Sequence, residues 1–195
     1  MIDINIFPVI ETERLILRQV TKDDAESILE YLSDKDVMKH YGLEPFKSTD
    51  DALDEISWYQ SIFEKKTGIR WGISLKGQGR VIGSCGFLNI VPQHCRSEVG
   101  FELSKEHWGK GIASEAFEAV IKYGFKQLNL QRIQALIVPP NISSQKLVER
   151  KGFIKEGLLR NYEFTCGKFD DLLLYALLKQ DFEKMHSLMN VNNYT

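Results

Sequence analysis

The stretch from Ser97 to Ala116 limits the possible folds more than any other part of this 195-residue chain. Residues 97–103 alternate, with Val99, Phe101 and Leu103 on one strand face and Glu98, Gly100 and Glu102 on the other. Gly109-Lys110-Gly111 follows. From Ile112 to Leu128, Ala113, Ala116, Phe117, Val120, Ile121, Gly124 and Leu128 then recur at helical spacing. A strand, a glycine turn and a helix with a continuous apolar stripe thus succeed one another. Such a helix must cover a sheet, which predicts an α/β (α+β mixed) domain.

The flanking patterns agree. Residues 13–20 read as a strand. Thr21 then caps a helix carrying Ala25, Ile28, Leu29 and Leu32, with Asp24 three residues on. A second amphipathic helix spans 48–66 and stops at Gly68. Residues 70–75 and 81–88 form a hairpin over Lys76-Gly77-Gln78-Gly79. A strand at 132–138, a short helix at 144–151 and strands at 153–158 and 172–178 complete the order. Residues after Phe182, with Asn190, Asn192 and Asn193, read as a frayed tail. No linker or repeat divides the chain, so one domain over 1–195 is expected, with its core at about 10–182.

Composition removes several classes of function. Twenty-five basic residues against 27 acidic ones give a net charge of −2, which disfavours nucleic-acid binding through a basic surface. The balance hides an asymmetry. Residues 22–64 hold 12 acids and four lysines, whereas 104–160 hold ten basic residues and five acids. The first segment suits a cationic amine and the second a phosphate-rich ligand, although solvated helix faces explain many of these charges equally well. Cys85, Cys95 and Cys166 are widely spaced, and four histidines share no ligand spacing, so no metal site is expected. With acids near the N-terminus and no long apolar run, neither a signal peptide nor a membrane span is expected, and a cytoplasmic location is.

Free N–H groups at the start of the helix after Gly109-Lys110-Gly111 can cradle a phosphate, with the helix dipole assisting. The competing reading is a plain tight turn. The spacing is neither a Walker loop nor a dinucleotide fingerprint, because position 114 is Ser. Further on, Asn141-Ile142-Ser143-Ser144 offers cap-forming residues before a helix that ends at Gly152-Phe153.

Together the two segments resemble the acetyl-CoA-dependent N-acetyltransferases of the GNAT superfamily. The first resembles that family's pyrophosphate motif, standing here as Trp108-Gly109-Lys110-Gly111-Ile112-Ala113. The second resembles its Asn-x-x-Ser…Gly-Phe motif. The opening Glu11-Thr12-Glu13-Arg14-Leu15-Ile16-Leu17-Arg18 and the later Gly157-Leu158-Leu159-Arg160…Gly167-Lys168-Phe169-Asp170-Asp171 are similar to the ribosomal-protein-alanine N-acetyltransferase branch.

The resemblance implies a twisted, mostly antiparallel sheet whose central parallel strands splay around acetyl-CoA. It implies that the backbone of Gly109, Lys110, Gly111, Ile112 and Ala113 binds the pyrophosphate, beside Trp108. Phe101, Glu102 and Leu103 would pair with the pantetheine amides, and Asn141 and Ser144 would also touch the cofactor. The acceptor amine must lose a proton to attack the thioester. Glu98 and Glu102 are the candidate bases, and the branch's Glu-x-Gly-Phe pattern favours Glu98. Val148 stands where many members place a proton-donating Tyr, which leaves Ser144 as the candidate acid or else a helix cap. The expected partners are acetyl-CoA and an amine, either a protein N-terminus or a small amine such as a polyamine, an amino acid or an aminoglycoside. A homodimer is compatible with the family. A non-catalytic acyl-CoA-binding module is the alternative.

Overall fold

A computed structural model describes residues 6–192. Eight strands form one sheet: β1 (Ile10–Glu11), β2 (Leu15–Arg18), β3 (Ile69–Leu75), β4 (Val81–Val91), β5 (Arg96–Leu103), β6 (Arg132–Ile137), β7 (Ile154–Thr165) and β8 (Lys168–Leu178). They lie in the order β1-β2-β3-β4-β5-β6-β8-β7. The helices are α1 (Ala25–Leu32), α2 (Lys35–Met38), α3 (Thr49–Glu64), α4 (Ile112–Lys126), α5 (Ile142–Arg150) and α6 (Lys179–Asn192). The mixed α/β architecture expected from the sequence is the one observed.

Strand alternation divides the interior between the two sheet faces. On β3, Ile69, Trp71 and Ile73 join the core that also contains Phe117, Val120, Ile121 and Phe125 of α4. Trp71 stacks edge-on against Tyr123 of α4 and donates its indole N–H to the Pro8 carbonyl at 2.8 Å. The alternate β3 residues face a second core built by Ile28, Tyr31 and Leu32 of α1 and Ala52, Ile56 and Tyr59 of α3. A Cβ on Gly72 would press on Val20 and Val81 of this second core. Ser48 starts α3 with a reciprocal cap to Asp51.

One strand pair sets up the site. Among the described residues β5 and β6 are the only parallel neighbours, and they pair only from Arg96↔Arg132 to Glu98↔Gln134. Beyond that point β5 stays with β4 as far as Leu103↔Gly83, while β6 stays with β8 as far as Ile137↔Leu173. The two strands therefore part just after Glu98, which leaves one edge of β5 without a strand partner.

Three sequence expectations require correction. The segment after Phe182 is a helix rather than a frayed tail: Phe182 packs its ring 4.9 Å from Phe125, and Met185 lies against Gly152. Asn190 and Asn192 continue that helix, and Asn193 lies outside the described residues. The last two strands are much longer than their apolar stretches suggested. They form one hairpin that turns at Cys166-Gly167, both with positive φ. The short helix begins at Ile142, two residues early, because Asn141 is its N-cap.

Candidate active site

Two cavities lie along the gap beside β5, of about 560 and 1110 Å³. Volumes of this order accommodate cofactors and drug-sized ligands. They share His40, Tyr41, Phe101, Asn141 and Ser144 as common walls, so they meet at the middle of the cleft.

The smaller cavity holds the glycine turn. Gly109 and Gly111 have φ of +72° and +76°. Gly111 is the N-cap of α4, and no side chain caps the helix there. The first-turn N–H groups of a helix have no intrahelical acceptor. Here they face a cavity lined by Gly109, Gly111, Ile112, Ala113 and Ser114. A Cβ on Gly109 would meet nothing within 4 Å, so the approach to these N–H groups is open. An uncapped helix start behind side-chain-free backbone fits a pyrophosphate. Trp108 is exposed and donates its indole N–H to the Leu103 carbonyl at 2.8 Å, tying the turn to the end of β5. That bond occupies the Leu103 carbonyl.

The turn is held from behind by the opening segment. Glu115, in the first turn of α4, accepts hydrogen bonds from Thr12 Oγ1 at 2.6 Å, Arg14 N at 2.9 Å and Arg14 Nε at 2.6 Å. Arg14 Nη1 also donates to the Lys110 carbonyl at 2.9 Å. Burial works against the Glu115 carboxylate, yet these donors hold it below its usual range. Arg14 thereby ties both the Lys110 carbonyl and the first turn of α4 to the opening segment. Arg14→Ala is expected to weaken acetyl-CoA binding by about 3- to 10-fold with little change in turnover at saturation. Calorimetry beside steady-state kinetics checks this, and equal affinity in both proteins refutes it.

The two candidate bases share a strand face but not an environment. Glu102 is buried in the smaller cavity's wall, ion-paired with Arg70 and hydrogen-bonded by Ser84. Burial pushes its carboxyl up, against the pull of Arg70 and Ser84. Arg70, Ser84 and, at 3.4 Å, the Tyr59 hydroxyl donate to its oxygens, and its burial leaves them little access to a ligand. Glu98 lines the larger cavity at the vertex where β5 and β6 part, and it is half-buried. Asn89 Nδ2 donates to one of its oxygens at 2.9 Å and Gln134 Nε2 to the other at 3.2 Å. A carboxylate offers about four acceptor positions, so two remain for a water or an amine.

On the opposite wall, Asn141 Oδ1 accepts from Ser144 N at 3.2 Å and Ser143 Oγ at 2.9 Å. That cap orients the amide, leaving Nδ2 as the donor available to a ligand. Ser144 Oγ lines both cavities and makes no hydrogen bond among the described residues. Val148 is buried at the floor of the larger cavity and carries no proton to donate.

Sequence reasoning missed Tyr41, Arg70 and His107. Tyr41 stands at the junction of the cavities and donates to Glu55 at 2.7 Å. His107 lines the smaller cavity with its Nδ1 buried and unpartnered, and burial together with nearby Lys110 lowers its pKa. None stands in a motif, and Arg70 on an otherwise apolar strand was the only available signal. Cys85 is packing: it is fully buried, and burial pushes its thiol up to about 12. Among the described residues, no three His, Cys, Asp or Glu side chains gather as a metal site would need, and no helix is long and apolar enough to cross a membrane.

The model of the acetyltransferase (GNAT) domain matches residues 14–154 of this sequence, which include the opening segment from Arg14 on, the glycine turn and Asn141. The chain belongs to the GNAT family. It is 41% identical over 173 residues to a Bacillus subtilis protein named "Uncharacterized N-acetyltransferase YoaA", covering 89% of this chain and 98% of that one. It is 28% identical over 183 residues to the [ribosomal protein uS5]-alanine N-acetyltransferase of Escherichia coli, covering 88% and 91%. A solved acetyltransferase (GNAT family) from Bacillus anthracis superposes with a TM-score of 0.77 at 29% identity, covering 89% and 99%. Family membership supports acetyl-CoA-dependent N-acetyl transfer for this GNAT chain, and the two cavities agree with it. One offers a helix start that no side chain caps, and the other offers a carboxylate with free lone pairs.

Proposed function

We propose that this GNAT protein transfers an acetyl group from acetyl-CoA directly to a primary amine in a ternary complex, and that the acceptor is the N-terminal α-amine of a protein. The observation that carries the reading is the meeting of the two cavities at Phe101 and Ser144, with the glycine turn on one side and Glu98 on the other. The thioester then lies at the junction, within reach of an amine entering through the larger cavity. Nitrogen attacks the thioester carbonyl, the C–N bond forms, and the C–S bond breaks. The surplus nitrogen proton passes to Glu98, directly or through one water. The departing thiolate is a tolerable leaving group because thiols ionise near pH 8.5, and it takes its proton from solvent, directly or relayed through Ser144 Oγ, which receives a solvent proton as it gives up its own. The unpaired edge of β5 supplies backbone donors and acceptors for pantetheine. The name of the E. coli relative favours a protein N-terminus as the acceptor.

The test is thiol release from acetyl-CoA, with peptides beginning Ala, Ser or Met compared with polyamines and aminoglycosides. Faster release with the peptides is expected. Tight acetyl-CoA binding without release for any amine would instead indicate a regulatory acyl-CoA-binding module.

A further inference from the structure

The larger cavity is lined by a buried arginine whose donors the fold only partly uses. Arg70 lies in β3 on the face turned toward α3 and is only 4% exposed. Its Nε donates to Ser84 Oγ at 2.6 Å, its Nη2 pairs with Glu102, and its guanidinium lies 5.8 Å from the centre of the Tyr59 ring. Nη1 has no hydrogen-bond partner among the described residues. It sits against Gly100: a Cβ built there would be 3.3 Å from Nη1 and within 4 Å of no other atom. Arg70, Gly100 and Glu98 all line the same cavity.

Two facts about this placement specify a ligand. Glu98 and Gly100 are two residues apart on one strand face, about 7 Å along the strand. Nη1 therefore stands beside the next position of the same strand face, and an amine at Glu98 that carries an oxygen two carbons away is of the size that bridges neighbouring positions on that face. Glu102 already balances the guanidinium charge, so Nη1 offers a hydrogen bond rather than net charge. A neutral carbonyl oxygen satisfies it as well as a carboxylate does. Nη1 keeps some exposure to the cavity, so a ligand oxygen there replaces water on a charged donor and gains affinity of about 10-fold.

We propose that Arg70 Nη1 reads an oxygen next to the acceptor nitrogen, so that the acceptors are amines α to a carbonyl or carboxylate, and oxygen-free polyamines are disfavoured. The inference rests on the reading of the Glu98 cavity as the acceptor site, and it narrows the acceptors by their chemistry.

The experiment uses the full chain with alanine, alaninamide and an Ala-initiated peptide, set against isopropylamine and spermidine, with rates expressed per neutral amine. The first three separate a free amino acid from a peptide terminus, and isopropylamine carries a methyl group in place of the carboxylate or carboxamide. A preference of at least about 10-fold in kcat/KM for the oxygen-bearing amines is expected. Gly100→Ala places a methyl group against Nη1 while leaving the Arg70–Glu102 pair in place, and the backbone there accepts alanine. It should bring that preference close to one while acetyl-CoA affinity and Tm hold. Equal use of isopropylamine by the natural protein, or an equal loss for both amine classes in Gly100→Ala, overturns the inference. Calorimetric titration of the same amines into the CoA complex separates the two readings. Selective binding that Gly100→Ala abolishes, with no turnover, preserves the Arg70 role and sinks the transferase reading. Turnover without discrimination does the reverse.

Discussion

Replacing Glu98 with Gln is expected to lower kcat by about 100-fold at neutral pH while leaving acetyl-CoA affinity within about twofold. Glutamine has nearly the same shape, and its single amide oxygen can keep one of the bonds from Asn89 and Gln134. What it loses is the ability to take a proton. At pH 7 an α-amine with a pKa near 8 is mostly protonated, so a base is needed at each turnover. As pH rises past the amine's own pKa, the neutral form arrives without help. The deficit of the variant should therefore shrink between pH 7 and 9.5. A deficit that stays constant across this range, or a turnover equal to that of the natural protein, would remove Glu98 from the role of base. Glu102→Gln makes a useful contrast. Its carboxylate is committed to Arg70 and Ser84, so its loss should appear first as a fall in Tm.

Periodicity made the frame legible, because each pattern reflected burial on one face. The alternation of Val99, Phe101 and Leu103 and the stripe on α4 both turned out to be core. Periodicity failed where packing came from outside the local pattern. The last helix carries few apolar residues, but Phe182 and Met185 suffice to dock it onto the core. The long β7–β8 hairpin runs through polar and exposed residues, so its strand character rests on cross-strand pairing that no local window reveals. Summed charge was a poor guide as well. Of the twelve acids between residues 22 and 64, only Asp36 and Glu55 line either cavity. Others cap helices or form ion pairs, as Asp51 does with Ser48, Asp24 with Arg18 and Glu30 with Arg80.

The site shows the same division. The glycine turn and Asn141 were legible because backbone geometry demands those residue types there. The different fates of Glu98 and Glu102 were not, since both occupy equivalent positions on one strand face. What separates them is Arg70, thirty-two residues upstream of Glu102 and two strands away, together with Ser84 on the strand between.

Gly111→Val is expected to weaken acetyl-CoA binding by about 10- to 100-fold, the largest effect of a single change at the cofactor end. With φ at +76°, Gly111 occupies a left-handed conformation that a β-branched residue adopts at a cost of about 1–3 kcal/mol. Space compounds the cost, because even a Cβ would lie 3.3 Å from Arg14 Nη2, part of the clamp on the turn. The strain has two outlets. If the turn keeps its shape, the whole cost falls on folding, and Tm drops by roughly 2–4 °C per kcal/mol. If the turn relaxes, the first N–H groups of α4 no longer converge, and the ligand must restore them. The clamp by Arg14 and Glu115 acts on Lys110 and on the first turn of α4 rather than on Gly111 itself, so relaxation is the easier outlet and affinity should fall first. Gly109→Ala provides the scale. Its φ of +72° imposes strain, but its Cβ meets nothing within 4 Å, so its effect on affinity should be several-fold smaller. Calorimetric acetyl-CoA binding and thermal melting of both variants decide the matter: lost affinity with Tm nearly held shows that the turn relaxes, whereas a Gly111→Val protein that melts lower yet binds acetyl-CoA as tightly as the natural chain refutes relaxation and puts the strain on folding.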